Sequence, residues 1–300
     1  MHCASMFRSQ VDGRGRTLAD TGRTLLKAGP PVLARLSDRA ASIVFVLLVL
    51  GVSLGTADVA GGLILALSPL LVVLVMLLLV TREGYTRDGW RRLGMGRLGL
   101  RYWPLTIATT AGVCLLATVG VVAFGFARFA APQQPWLADV LALCAAGPVL
   151  AFAEEIGWRG YLQPRLAFLG ERAAMLTVGV VWIGWHLPYI LSTPNYHSDG
   201  NRVVVLTLFS GSVIAFSFLI GHLRTMSASV WPAVLAHFTH NATFAALTIP
   251  IATEQPVVVN EYLSGDSGLF VMLGTAACAA AIGVSRAQAA RLSLRASARG

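Results

Sequence analysis

Eight stretches of about 20 mostly apolar residues dominate this sequence, and that is the length an α-helix needs to cross a hydrocarbon layer of about 30 Å. They fall at roughly 41–60, 61–80, 103–125, 136–156, 173–192, 203–222, 229–249 and 268–284. Backbone amides in lipid must find their hydrogen bonds inside the segment itself, so such runs fold as helices. The expected class is all-α, a polytopic membrane bundle of about eight transmembrane helices. With 56% hydrophobic and only 12% charged residues, the chain lies far from the soluble average of about 25% charged. That excludes a water-soluble globule, and the long apolar runs exclude a disordered chain.

The net charge of +9 does not point to nucleic acid, because the basic residues lie between the apolar runs and not on one surface. All but Lys27 are arginines. An even number of spans puts both termini on one side, with segments 1–40, 81–102, 154–172, 223–228 and 285–300. Only Arg128 and Arg202 fall on the other side, which instead holds Asp58, Asp199, Glu254, Glu261 and Asp266. The positive-inside rule makes the arginine-rich side cytoplasmic. This gives an Arg-rich N-terminal segment at 1–40, a transmembrane domain at 41–284 and a basic tail at 285–300 that continues the last helix. The N-terminal segment is read as a tail or a short amphipathic surface helix, not as a removable signal peptide. Cys3, Cys114, Cys144 and Cys278 have no paired spacing, so neither a disulfide nor a cysteine metal site is expected.

Ionisable groups inside a membrane cost about 2.5–3.5 kcal/mol each on insertion scales, which makes them functional candidates by default. Here they gather in three places: Glu154-Glu155 with Arg159, Trp182 with His186, and His237 with His240 and Asn241. Glu155 and Arg159 are four residues apart, share a helix face and form an ion pair. Glu154 is turned about 100° away, lacks that partner and is the candidate general base. His237 and Asn241, one turn apart, offer an imidazole and an amide to one cavity, and His186 offers a second imidazole. This set suits hydrolysis, with water deprotonated by Glu154 and the oxyanion held by histidine and Asn241. His240 is ambiguous, His222 reads as interfacial and His197 as a loop residue. The fourth span carries Gly147-Pro148, where a kink or break is expected to let Glu154, near the cytoplasmic end, reach the histidines.

Glu154-Glu155-x-x-x-Arg159, Trp182-x-x-x-His186 and His237-x-x-x-Asn241, in that order on three helices, resemble the CPBP (Abi) family of CAAX prenyl proteases and bacteriocin-processing or immunity proteins. The resemblance covers roughly 135–250. It implies an intramembrane endopeptidase whose catalytic residues are Glu154, Glu155 with Arg159, His186, His237 and Asn241. Trp182 stands where the family usually has Phe, a change that bears on local packing. Family members are described both as metalloproteases and as metal-independent glutamate proteases. Glu154, His186 and His237 could form a His2-carboxylate set for a divalent metal such as zinc, so the cofactor is either none or such an ion. The arginine-rich composition suggests a bacterial inner-membrane protein, whose partners are the bilayer and a membrane-associated protein or peptide substrate reaching the cavity from the cytoplasmic leaflet. A non-proteolytic immunity or scaffold protein using the same cavity is the alternative. A proton-coupled transporter is a third, for which the paired broken helices are missing.

Overall fold

The computed structural model describes residues 36–132, 136–194, 196 and 198–297. The chain divides into two units, Met1–Ser37 and Asp38–Gly300. Of the first only Leu36 and Ser37 are described, so the expected N-terminal surface helix, like His2 and His197, lies outside the described residues.

Ten helices form among the described residues. The long ones are α1 (Asp38–Thr56), α2 (Leu63–Val75), α4 (Trp103–Ala123), α5 (Leu137–Glu155), α7 (Glu171–Ser192), α8 (Arg202–Ser227), α9 (Trp231–Thr248) and α10 (Leu269–Ser297), with the short α3 (Arg87–Arg92) and α6 (Gln163–Arg165) between them. Strand is confined to one antiparallel pair, β1 (Arg128–Phe129) with β2 (Ile251–Ala252). The start signals are local. Pro104 and Pro232 sit in the first turns of α4 and α9, where a missing N–H costs nothing. Asn201 caps α8 by accepting from the amides of Val203 and Val204.

Seven helical runs are long and apolar enough to cross a membrane. Large apolar side chains such as Leu47, Leu54, Leu79, Leu116 and Val203 point outward, the inverse of a water-soluble surface. The chain is a multi-pass helical membrane bundle. The expected span at 229–249 does form a helix, α9, but is not among the seven. Its two histidines and Asn241 make it too polar, and it is packed against α4, α5 and α8, where intramembrane polar groups are sheltered from lipid.

Two expectations about the fourth span are corrected. Pro148 lies inside an unbroken α5, so Gly147-Pro148 does not split the helix; a Cβ on Gly147 would meet the Phe238 ring of α9 at 3.0 Å, and the glycine serves close helix packing. The irregularity comes after the glutamates, where Ile156–Leu162 is π-helical with every residue buried. The helical run then continues to Leu169. Glu154 is therefore near the middle of a helical run from Leu137 to Leu169. For the same reason 154–172 is not a solvated basic loop, since Arg159 and Arg165 are both buried.

The arginine-rich end is tied together by ion pairs. Arg92 bonds Asp38 at 2.8 Å and Glu83 at 3.3 Å, and Arg165 also pairs with Glu83. Arg286 of α10 pairs with Glu171. Its Nη1 also donates to His222 Nδ1 at 2.7 Å, which places His222 in a buried polar cluster at this end.

The π-helical turn leaves no room above Gly157, where a Cβ would lie 2.5 Å from Pro69 Cβ of α2. Gly157→Ala is expected to destabilise the protein by about 1–3 kcal/mol, the usual cost of overpacking. Thermal melting in detergent reads this as a lower midpoint, and an unchanged midpoint would mean that α2 yields freely.

Candidate active site

A cavity of about 480 Å³ lies inside the bundle, lined among others by Glu154, His186, His237 and Asn241. Three helices bring them together: α5 supplies the carboxylate, α7 one imidazole, and α9 the other imidazole with the amide. Of the six residues singled out in the sequence these four face the cavity, whereas Glu155 and Arg159 lie behind it with no exposed surface.

That rear layer is a closed network. Arg159 Nη1 donates to both oxygens of Glu155, at 2.9 and 3.0 Å, the four-residue pairing expected. Glu155 Oε1 also accepts from His237 Nδ1 at 3.0 Å. A carboxylate oxygen can only accept here, so His237 carries a proton on Nδ1 and turns Nε2 to the cavity. His186 is fixed the same way, with Nδ1 at 3.0 Å from the Trp182 carbonyl. Both rings thus present the same nitrogen.

Trp182 does more than pack. Its indole N–H donates to Glu154 Oε2 at 3.0 Å, and the Arg159 guanidinium lies over its ring, 4.5 Å from the centroid, a cation–π geometry. A Phe at this position would have the ring but not the donor, so Trp182 changes the setting of the Glu154 carboxylate as well as the packing. Trp158 and Trp185 pack edge to face behind it, 5.7 Å apart.

His240 takes a structural role. Its Nε2 donates to the Asp266 carbonyl at 3.0 Å, and its Nδ1 is 3.6 Å from Cys114 Sγ, which joins α9 to α4 and to the connection before α10. Asp266 and Tyr196 also line the cavity. The sequence reading took Asp266 only as a loop acid and did not single out Tyr196. No local motif marks them, because they lie on separate connections 70 positions apart.

The lining reaches Gly61, Tyr196, Asp266 and Ser267, which belong to the connections 57–62, 193–201 and 264–268. These lie at the end of the bundle opposite the arginine-rich one. The cavity therefore extends toward the arginine-poor side. Among the described residues no group of three or more His, Cys, Asp and Glu is gathered so as to hold a metal ion.

The fold and the cavity define a polytopic helical membrane protein with a carboxylate and two imidazoles facing one internal space. Residues 134–243, from just before α5 to the middle of α9, match the family model of the type II CAAX prenyl endopeptidases, Rce1-like. That domain is consistent with a CPBP family protease and supports an intramembrane endopeptidase of the CAAX type in general. No curated protein matches the chain.

Trp182→Phe keeps the ring over Arg159 and removes the N–H. A hydrogen bond to a charged group contributes about 1.5–3 kcal/mol, so turnover is expected to fall by about tenfold or more with little change in melting temperature. Full activity in this variant would show that the indole donor does not position Glu154.

Proposed function

We propose that the protein hydrolyses a peptide bond of a membrane-associated protein or peptide, with Glu154 as the base that activates water. The observation that carries this reading is the joint exposure of Glu154, His186, His237 and Asn241 in one internal cavity, backed by the match to an endopeptidase family. In this mechanism the water donates one hydrogen bond to an imidazole Nε2, of His186 or His237, which orients it, and the other to Glu154. Glu154 takes its proton as the oxygen attacks the scissile carbonyl carbon. The Asn241 amide N–H donates to the oxyanion of the tetrahedral intermediate. The C–N bond then breaks, and Glu154 returns the proton to the departing amine.

Glu155 and Arg159 act from behind, by fixing His237. Such a carboxylate behind an imidazole is also the usual outer partner of a metal-binding histidine. Here Glu154, His186 and His237 share the cavity without forming a gathered ligand set, and Glu154 already accepts from Trp182. The proposed mechanism routes no step through a metal ion. The arginine distribution supports a bacterial inner membrane with the arginine-rich end cytoplasmic, so substrate reaches the cavity from the extracytoplasmic side.

The test is peptide release from a membrane-peptide library, followed by mass spectrometry, for wild type and Glu154→Gln with and without chelator. Loss of a positioned general base is worth about 10²–10⁴-fold, so Glu154→Gln is expected to fall by that much or more while wild type keeps its activity in chelator. Cleavage by Glu154→Gln at the wild-type rate would remove Glu154 from the mechanism.

A further inference from the structure

The cavity has a second polar pole. The Tyr196 hydroxyl donates to Asp266 Oδ2, Ser267 Oγ donates to Asp266 Oδ1 at 3.2 Å, and His240 of α9 holds the Asp266 carbonyl at 3.0 Å. Side chain and backbone of Asp266 are thus both braced. Burial, and then the neighbouring Asp266 carboxylate, push the Tyr196 phenol well above its ordinary value, so it remains a donor at physiological pH.

Among the described residues of the lining the charge is one-sided: Glu154 and Asp266 face the cavity and no lysine or arginine does, although the whole chain carries +9. The walls between them are aromatic, including Trp185, Tyr189, Phe209 and Phe216. Aromatic faces attract cations, most strongly where water is excluded, and a braced carboxylate at the end of an aromatic channel is complementary to an ammonium or guanidinium. Glu154 stands at the inner end, while Asp266 stands where the lining reaches the arginine-poor connections.

We propose that Asp266, positioned by Tyr196, forms a subsite for a lysine or arginine side chain of the peptide whose scissile bond lies at Glu154. The proposal rests on the hydrolytic reading for its substrate class, but the subsite is a binding property and is measured without turnover. Residues along an extended peptide advance by about 3.3–3.6 Å, so the cationic residue lies within a few positions of the scissile bond, on the side nearer the extracytoplasmic end.

The experiment measures binding of membrane-associated peptides to detergent-solubilised Glu154→Gln protein, with one position at a time occupied by Lys, acetyl-lysine or Met. At one position the Lys peptide is expected to bind about tenfold tighter than either neutral counterpart, a difference of about 1.4 kcal/mol. In Glu154→Gln/Asp266→Asn that preference should vanish while the Met peptide binds as before. Equal binding of the three peptides at every position overturns the proposal, and so does a Lys preference that survives Asp266→Asn. The acetyl-lysine comparison needs no change at Asp266, so it decides the matter even where Asp266→Asn fails to fold. Wild-type cleavage of the same panel is scored separately. A Lys preference without any cleavage would sink the hydrolytic reading and leave the subsite standing.

Discussion

The buried contact between Glu155, Arg159 and His237 is the constraint on which the rest of the site depends. Burying a carboxylate and a guanidinium where neither reaches solvent is expensive, and it is tolerated only when the two are closely paired. Here the pairing is internal to one helical run, and the same carboxylate reaches across to α9. Removing Glu155 or Arg159 leaves an uncompensated charge among α5, α7 and α9, at a cost of about 3–5 kcal/mol for a broken buried pair. Arg159 Nε and Nη2 make no hydrogen bond among the described residues, and the Trp182 ring covers the guanidinium instead. Trp182 thereby links the two, with its face under the Arg159 guanidinium and its N–H on Glu154.

The π-helical stretch from Ile156 to Leu162 shows how this arrangement is accommodated. All seven residues are buried, Phe45 stacks on Tyr161 at 5.0 Å, and the Arg224 side chain donates to the Arg159 carbonyl at 2.9 Å. A wider turn weakens its own regular hydrogen bonding and is held here by neighbouring elements, as such turns at functional sites commonly are. Glu155 and Arg159 are thus enclosed within the protein.

Much of this was legible in the residues. Apolar run length located the helices, because lipid imposes a length and forbids unsatisfied backbone. The four-residue spacing of Glu155 and Arg159, and of His237 and Asn241, gave correct shared faces. The end of the fourth helix was misplaced because a hydropathy reading counts Glu154, Glu155 and Arg159 as solvent-seeking, and cannot see that their charges are met inside the bundle. Trp182 was read as a ring since side-chain identity does not reveal where an indole N–H points. Asp266 with Tyr196, and His240 with Cys114, are joined only by the tertiary packing of separate connections and helices, and no pattern along the chain announces them.

The fixed hydrogen-bond polarity of the two histidines has a consequence for molecules designed to occupy the cavity. With both Nδ1 atoms already donating, to Glu155 and to the Trp182 carbonyl, the rings offer two acceptors, and Asn241 one turn from His237 offers an amide. A complementary inhibitor therefore carries two donors facing the imidazoles and an acceptor facing the amide. A compound with the reverse pattern requires a proton to be added at each Nε2 before it can bind, so ligand polarity should sort compounds more sharply than ligand size.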